Sequence, residues 1–369
     1  MKKILALLLA AVMAFSLVAC SGDKDPDPTP TGTEPTGAFD YSTLKLGVVM
    51  PEADHGFTGE SVAHARAEVE AQATEKGFQF QIETKGEAAA QIAAIETMLS
   101  WGANVIVLWP TEGDQLRSAA QTVVESGVKL IIYDRLINDF EGMAAEIMGD
   151  NETIGNWMGD YMVNYFKEQL EAGETVDYLR FIGDSSTVSA QRSSGSDAAI
   201  AAAGYTDQFK AVNGQSDFVT NWSAATAQEQ MENWLNSASK EDIESLDVII
   251  THDDEIVDGI TIALDNYYSS NPAAQLNVKL ITGVGARRET LATYDETVAN
   301  GIELVTYFFS PSFVREAIRL ALATAAGEQY DGQDINGQLF LIASEQVDKT
   351  NVEEFRQSEK FAERYSLSE

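Results

Sequence analysis

The stretch LIIYDRLIND, residues 130–139, decides the fold because four apolar residues run directly into an aspartate and an arginine. Residues 130–133 predict a buried strand, since strands of a parallel sheet covered on both faces are continuously apolar. Such strands present their C-terminal residues to a ligand crevice at one edge of the sheet. Asp134 and Arg135 are therefore predicted to contact a ligand.

Seven further apolar runs alternate with helical segments along the chain. They lie at residues 46–50, 78–82, 105–109, 178–182, 248–250, 280–282 and 304–307. Segment 91–101 carries its apolar residues on one helical face. Gly77, Gly102 and Gly127 stand where a left-handed C-terminal cap is expected before the next strand. This alternation predicts an α/β fold, and eight strands are too many for one modest sheet, so two Rossmann-like lobes with parallel sheets are expected.

The N-terminus has the pattern of an export signal. Lys2 and Lys3 precede an apolar run at residues 4–19 that is too short for a typical membrane span. The run ends in LVAC, residues 17–20, which resembles the lipobox of bacterial lipoproteins. Residues 1–19 are therefore predicted to be a lipoprotein signal peptide, with lipid carried on Cys20, the only cysteine. The alternative is that Cys20 is an incidental residue of the apolar run.

Residues 20–42 are predicted to comprise the lipidated cysteine and a Pro/Thr-rich tether. This segment holds Pro26, Pro28, Pro30 and Pro35, half of the eight prolines, among Thr, Gly, Asp and Glu. Such a composition cannot build a core and gives an extended chain of roughly 3 Å per residue.

The charge of the chain excludes two classes of partner. A formal net charge of −34 argues against nucleic acid, which proteins bind by displacing counterions with Lys and Arg. It also argues against lying on anionic lipid, so the lipid on Cys20 would hold the protein at the membrane.

No catalytic pattern stands out in the sequence. It has no nucleophile elbow, P-loop, paired cysteines or HExxH motif, and GVGARR at residues 283–288 fails as a dinucleotide fingerprint. His55, His64 and His252 are scattered singly, which does not indicate a metal site. We therefore expect no enzyme activity, no catalytic residue, no cofactor and no metal.

Polar and aromatic residues follow the predicted strands instead. In a doubly wound sheet such positions converge on one crevice. Carboxylates and guanidinium groups hydrogen-bond sugar hydroxyls, while aromatic rings cover the apolar C–H faces of a pyranose. The predicted ligand-binding residues are Asp54, His55, Phe57, Trp109, Asp134, Arg135, Arg192, Trp222, Asp253 and Phe309.

Four segments together resemble a known family. They are YDRLIND at residues 133–139, GDN at 149–151 followed by Gly155, the W-x-x-ATAQ-x-x-M-x-N pattern at 222–233, and the segment 343–355. The chain from about residue 45 to residue 355 resembles the type I periplasmic binding proteins of sugar ABC transporters. It is nearest to the xylose and multiple-sugar binding members.

The resemblance implies two lobes joined by a three-crossover hinge that closes on one monosaccharide or related small molecule. The N-terminal lobe would comprise residues 43–150 and 311–338, and the C-terminal lobe residues 151–310 and 339–369. The protein would be a monomer at the outer face of the cell membrane, anchored by its lipid, and would deliver the ligand to an ABC permease.

By match of position, the first lobe would supply Asp134 and Arg135 to sugar hydroxyls, with Asp54, His55 and Phe57 on the same wall. The second lobe would supply Trp222 as a stacking ring, Asp253 as a polar contact and Arg192 as a donor. Three alternatives stay open: a mutual Asp134–Arg135 ion pair, a core position for Trp222, and a helix-capping role for Asp253.

Two departures from the family leave the ligand class open. Gly285 stands where the family offers an aspartate, and Phe308 and Phe309 stand where Lys, Gln or Asn is common. We therefore expect a more apolar second-lobe wall. A deoxy sugar, a glycoside or another metabolite is possible, and Arg135, Arg192 and Arg287 leave a sugar acid open.

Two other functions are compatible with the sequence. The same cleft would serve a sensory protein that signals to a chemoreceptor or sensor kinase. A hydrolase acting through Asp134 and Asp253 would need its two carboxylates roughly 5 to 10 Å apart, which nothing in the sequence indicates.

Overall fold

A computed structural model describes residues 39–53, 56–274, 277–299 and 301–367. The predicted signal peptide, Cys20 and most of the tether lie outside these ranges, as do Asp54 and His55. Asp40–Glu369 form one compact unit. Within the described ranges, no helix combines the length and the apolar character needed to cross a membrane.

The described chain alternates strands and helices. The strands are β1 (Lys45–Met50), β2 (Gln79–Thr84), β3 (Val105–Leu108), β4 (Lys129–Tyr133), β5 (Ala145–Gly149), β6 (Val176–Ile182), β7 (Phe209–Ala211), β8 (Phe218–Val219), β9 (Leu246–Thr251), β10 (Leu280–Gly285), β11 (Glu303–Phe308), β12 (Leu339–Ile342) and β13 (Gln346–Val347). The helices are α1 (Gly56–Lys76), α2 (Ala88–Trp101), α3 (Gly113–Glu125), α4 (Asn151–Tyr165), α5 (Lys167–Glu171), α6 (Thr187–Ala202), α7 (Ala224–Ser237), α8 (Lys240–Ser245), α9 (Asp254–Ser270), α10 (Arg288–Ala292), α11 (Tyr294–Ala299), α12 (Val314–Ala326), α13 (Val352–Phe355) and α14 (Glu359–Arg364).

Two sheets divide the compact unit into lobes. The first sheet has the order β12-β5-β4-β3-β1-β2, and all of its neighbours pair in parallel. The second has the order β13-β11-β10-β9-β6-β7, with β8 also paired to β6 and only β13 antiparallel. The first lobe is the first sheet with α1, α2, α3 and α12, and the second lobe is the second sheet with its helices. The expected α/β fold of two lobes with parallel sheets is confirmed.

Each of the eight predicted apolar runs overlaps a strand, and the burial of these strands explains their apolar character. Every residue of β3, β9, β10 and β11 is buried, so these strands carry no polar alternation. The strands that the pattern missed are β5, β7, β8, β12 and β13, and four of these five have four residues or fewer. Gly102 ends α2 with a φ of 87°, the left-handed cap expected there.

The core of the first lobe lies between its sheet and the helices α2 and α3. Ile95 and Met98 of α2 and Leu116 and Val123 of α3 are each at most 1% exposed. Burying a side chain of this size contributes about 1.5 to 3 kcal/mol. This core fixes the strand ends that carry Trp109, Asp134 and Arg135.

The chain passes between the two sheets three times over its described residues. The passages run from β5 to β6, from β11 to β12, and from β12 to β13. Residues 339–342 were expected in the C-terminal lobe, but they form β12 of the first sheet, paired in parallel with β5. The pairing buries Phe340 against the ring of Tyr330, at 5.2 Å between centroids. The last passage therefore falls at residues 343–345, after β12.

Candidate functional site

The carboxyl ends of strands from both sheets surround one cavity of about 200 Å³. Parallel strands place their C-terminal residues at the same edge of a sheet, so the two edges face each other across the cleft. The structure brings together all the predicted site residues that it describes: Phe57, Trp109, Asp134, Arg135, Arg192, Trp222, Asp253 and Phe309. Asp54 and His55 lie outside the described residues.

Six further residues line the cavity and were not predicted as site residues. They are Ala53, Gly56, Thr58, Val188, Asn221 and Glu255. Glu255 belongs to the acidic run after β9, which is typical of a helix N-terminus, and Asn221 directly precedes Trp222. Gly56 and Glu255 stand in the same post-strand segments as Phe57 and Asp253, so position after a strand could have identified them. The other four carry no local pattern that distinguishes them.

Asp134 is a buried carboxylate directly after β4. The residue is 4% exposed, and its Oδ1 is buried without a hydrogen-bond partner among the residues that the structure describes. Its φ of 64° lies in the left-handed region, which aspartate tolerates better than most residues. Burial raises the pKa of Asp134 to about 6, although the guanidinium groups of Arg135 and Arg192 oppose the shift. The carboxylate is therefore costly to keep without a partner.

Arg135 pairs across the cleft and not with its neighbour Asp134. Its Nη1 donates to the carbonyl of Thr111 at 2.6 Å, and its Nη2 donates to Oδ2 of Asp184 at 3.0 Å. Its Nε is buried and has no partner among the described residues. The guanidinium is thus fixed at both terminal nitrogens.

Arg192 of α6 is a buried cation between the two lobes, with 2% of its surface exposed. Its Nε donates to Oδ1 of Asn151 at 2.8 Å, and its Nη1 donates to the carbonyl of His252. Its guanidinium lies 4.7 Å from the ring centroid of Phe309 and 5.8 Å from that of Trp222. Burial lowers the pKa of Arg192 to about 10, so it stays protonated at neutral pH.

Aromatic rings form the apolar part of the cavity wall. Phe57 lies 5.4 Å from Phe309 and 6.0 Å from Trp109, measured between ring centroids. Trp222 lines the cavity with a φ of 60°, and it is only partly buried, so it is not a core tryptophan. Its Nε1 donates to Asp184 at 2.9 Å. The rings come from both lobes, so the distances between rings of different lobes depend on how far the lobes close.

Two glycines make room for these rings. A Cβ added at Gly183 would lie 2.1 Å from the Trp222 ring, and one added at Gly149 would lie 2.1 Å from the Phe309 ring. Real Cβ atoms do not approach so closely, so either substitution forces a ring to move. The cavity shape thus depends on backbone positions behind the rings.

Gly183→Ala is expected to displace the Trp222 indole and to weaken ligand binding about a hundred-fold, because overpacking a fitted ring costs typically 1 to 3 kcal/mol. Gly86→Ala is the matched control, since its added Cβ would meet nothing closer than 3.9 Å. Titration calorimetry of both variants measures the difference. Equal affinities would show that Trp222 does not shape the binding site.

Asp253 caps a helix and lines the cavity at the same time. Its Oδ1 accepts from the backbone N–H of Glu255 at 2.8 Å, at the start of α9. Burial raises the pKa of Asp253 to about 7, and the neighbouring charges of Glu255 and Asp254 add to the shift. Asp253 therefore caps α9, as the alternative predicted, and also lines the cavity.

Of the residues at the two departures from the family pattern, only Phe309 lines the cavity. Gly285 does not line the cavity, and its carbonyl accepts from Nη1 of Arg364 at 2.9 Å. Phe308 packs against Phe313 and Phe355, so Phe309 alone of the pair lines the cavity. The second-lobe wall combines the apolar side chains of Val188, Trp222 and Phe309 with the polar ones of Arg192, Asn221, Asp253 and Glu255. That this wall is more apolar than in the family stays a prediction.

Within the described ranges, no group of three or more His, Cys, Asp or Glu residues is arranged to hold a metal ion. The cavity offers carboxylates, guanidinium groups and ring faces. These are groups suited to hydrogen bonding and stacking.

Comparisons with known proteins agree with this geometry. A family model described as the periplasmic binding protein domain matches residues 46–329. The multiple sugar-binding periplasmic protein SbpA of Azospirillum brasilense is 26% identical over 69% of this chain and 70% of its own length. The D-xylose-binding periplasmic protein of Haemophilus influenzae is 25% identical over 73% of this chain and 76% of its own.

Among solved structures, an ABC transporter solute-binding protein of Bacillus halodurans C-125, with bound myo-inositol, superposes with a TM-score of 0.69. It is 18% identical, and the match covers 86% of this chain and 99% of that one, which supports the shared fold. The resemblance to type I periplasmic sugar-binding proteins is confirmed. The chain belongs to the family of periplasmic binding protein domains.

Proposed function

We propose that this protein is an extracytoplasmic solute-binding protein that captures a monosaccharide or a related small carbohydrate between its two lobes. It hands the ligand to an ABC permease and performs no covalent chemistry. The ligand contacts both walls of the cavity, so it favours the closed arrangement by its differential contacts with the two lobes.

The observation that carries the proposal is the Asp134 carboxylate. It is buried at the cavity wall, and its Oδ1 has no hydrogen-bond partner among the described residues. A buried polar group in this state costs free energy unless a partner is supplied. A sugar hydroxyl at Asp134 would supply that partner by a charge-assisted hydrogen bond.

The remaining wall supports a carbohydrate in particular. Phe57, Trp109, Trp222 and Phe309 offer ring faces for the C–H surface of a sugar, and Arg192 and Asp253 offer polar partners. A cavity of about 200 Å³ suits one small ring better than an oligosaccharide. Relatives named for xylose and for multiple sugars point to the same class.

The charge balance favours a neutral ligand over a sugar acid. Arg135 is paired with Asp184 at 3.0 Å, and Arg287 is paired with Asp258 at 3.0 Å. Arg192 faces Asp134 and Asp253, whose charges favour its protonated form. None of these three arginines offers an anion an uncompensated positive charge.

The anchoring and delivery steps rest on the sequence and on the family. The lipobox-like LVAC at residues 17–20 supports a lipid on Cys20 after export, at the outer face of the membrane. The assignment to periplasmic binding protein domains supports an extracytoplasmic location and a permease partner. Metabolic labelling with a palmitate analogue, compared between the wild type and Cys20→Ala, tests the anchor.

Thermal unfolding of Asp40–Glu369 with a panel of sugars tests the function. The panel contains D-xylose, D-glucose, D-fructose, deoxy sugars, sugar acids, myo-inositol and nucleosides. A ligand at a hundred times its dissociation constant stabilises the folded state by about 2.7 kcal/mol. A selective rise in melting temperature with one neutral carbohydrate is expected. A response only to acids or nucleosides would reject the proposed ligand class.

Trp222→Ala is expected to raise the dissociation constant of the ligand about 30-fold, or about 2 kcal/mol, because buried aromatic anchors dominate binding energies. Trp157→Ala serves as the control, because Trp157 lies on α4 outside the cavity, 6.4 Å from the ring of Tyr307. Titration calorimetry on both variants measures the effect. Equal dissociation constants for the two variants would remove Trp222 from the binding site.

A further inference from the structure

Asp184 lies just behind the cavity wall and not on it. It follows β6 of the second lobe, and its side chain is 24% exposed. Its Oδ1 accepts from the backbone N–H of Ser186 at 2.9 Å, and its own N–H donates to Oγ of Ser189 at 3.2 Å. Asp184 is therefore fixed within the second lobe by local hydrogen bonds.

The other carboxylate oxygen of Asp184 joins two side chains that do line the cavity. Oδ2 accepts from Nη2 of Arg135 at 3.0 Å and from Nε1 of Trp222 at 2.9 Å. Arg135 belongs to the first lobe, whereas Trp222 belongs to the second. Oδ2 of Asp184 thus links the Arg135 guanidinium on the first-lobe wall to the Trp222 ring on the second-lobe wall.

The same segment makes a second contact across the cleft. The backbone N–H of Leu136 donates to Oγ1 of Thr187 at 3.3 Å. Within the first lobe, Nη1 of Arg135 donates to the carbonyl of Thr111 at 2.6 Å. The guanidinium of Arg135 is thus held by one lobe at Nη1 and by the other lobe at Nη2.

The Asp184 side chain has little capacity left for a ligand. Oδ1 accepts one hydrogen bond from the protein, and Oδ2 accepts two. Burial alone would raise its pKa, but the charge of Arg135 and the hydrogen bonds from Ser186 and Trp222 lower the pKa of Asp184 below its usual range. The carboxylate is therefore charged at neutral pH, and both contacts at Oδ2 are charge-assisted.

We infer that Asp184 is a positioning residue that holds the two lobes together, because its Oδ2 binds Arg135 of the first lobe and Trp222 of the second. This pair of contacts, called the latch below, couples the closure of the lobes to the shape of the carbohydrate site. The effect on affinity rests on the proposed function, whereas the effect on closure does not. A latch that forms without ligand raises the population of the binding-competent state and thereby the apparent affinity.

The test measures closure and binding separately in Asp40–Glu369. The only cysteine of the chain is Cys20, so this unit contains none, and single cysteines placed at Glu96 and Glu229 accept spin labels. Both positions are exposed, on α2 of the first lobe and α7 of the second. Pulsed dipolar spectroscopy then reports the distance between the lobes without any ligand.

Asp184→Asn is expected to shift the ligand-free label distances to longer values. It is also expected to weaken binding of the responding probe, chosen from D-xylose, D-glucose and myo-inositol, roughly ten- to a hundred-fold. The substitution keeps the shape and one acceptor oxygen while it removes the charge. The matched control is Asp197→Asn, which breaks the ion pair with Arg180 in the same lobe, away from the cavity, and should change neither quantity.

A double-mutant cycle with Arg135→Gln isolates the contact. If both substitutions break the same latch, the double variant should show the same label distances as Asp184→Asn alone. Unchanged distances in Asp184→Asn, or equal shifts in Asp197→Asn, would overturn the inference. If no neutral carbohydrate of the thermal-unfolding panel binds the wild-type protein, the proposed function fails, and the label distances still decide whether the latch exists.

Discussion

Arg192→Met is expected to destabilise the protein by roughly 3 to 5 kcal/mol and to abolish ligand binding, because removing one partner of a buried set of charges leaves the others uncompensated. Arg192 donates to Asn151 and to the carbonyl of His252, and it balances the carboxylates of Asp134 and Asp253. Methionine fills a similar volume but supplies neither charge nor donor. Chemical denaturation of the ligand-free variant measures the loss.

Two further variants make this result specific to Arg192. Arg192→Lys keeps the charge but not the planar fork, and it should lie between the wild type and Arg192→Met. Arg117→Met removes a partly exposed arginine that pairs with Asp114 and donates to the carbonyls of Asn138 and Asp139, and it should lower the free energy of unfolding by about 1 kcal/mol or less. If Arg192→Met were as stable as Arg117→Met, Arg192 would not be needed to balance the carboxylates of Asp134 and Asp253.

Asp253→Asn is expected to stabilise the ligand-free protein at pH 8 while it weakens ligand binding. The folded state raises the pKa of Asp253 from 3.8 to about 7, so the folded protein binds this proton more tightly than the unfolded chain. A carboxyl of this kind contributes most to stability at low pH, and its contribution falls as the pH rises from about 4 to about 7. Asparagine avoids the charge, so the gain at pH 8 should be about 2 to 4 kcal/mol.

The pH dependence distinguishes this explanation from a simple capping effect. Asparagine also caps helices, so the contact with the N–H of Glu255 should persist, and the gain should vanish near pH 4. Asp150→Asn, at the N-cap of α4, controls for the exchange of capping residue. Denaturation at pH 4 and pH 8 checks the result. A gain of equal size at both pH values would contradict the assignment to the Asp253 charge.

The Asp253 prediction describes a trade-off between stability and binding at the site. Asp134 and Asp253 are held at the cavity in a state that costs the ligand-free protein stability, because burial opposes their charge. Binding sites commonly retain such groups, since the ligand supplies the missing partners. Substitutions that relieve the charge should therefore stabilise the protein and weaken binding together.

Much of the site could be predicted from the sequence because its signals are local. Asp134 and Arg135 come after one apolar run and Trp109 ends another, and a doubly wound sheet presents the residues at such strand ends to the cleft. Phe57, Arg192, Trp222, Asp253 and Phe309 also line the cavity as expected. That these residues bind a ligand stays a prediction, which the variants above test.

Other features were not visible in the sequence because they depend on distant pairing. Segment 339–342 joins the first sheet through pairing with β5, about two hundred residues earlier, and its apolar pattern fits either sheet. Phe308 and Phe309 are identical neighbours, yet one packs into the core and the other lines the cavity. A strand alternates its side chains, but only the position of the neighbouring lobe decides which side is the cleft.

The sequence by itself determined the alternation of strands and helices, the glycine caps and the residues at the strand ends, because these follow from hydrophobic periodicity and backbone conformation within short windows. The tertiary structure alone decided the partners of the charges. Arg135 pairs with Asp184, 49 residues away, and not with the adjacent Asp134. The reason is physical: hydrogen-bond partners are chosen by distance in space, and the cleft between two lobes brings together groups that lie far apart along the chain.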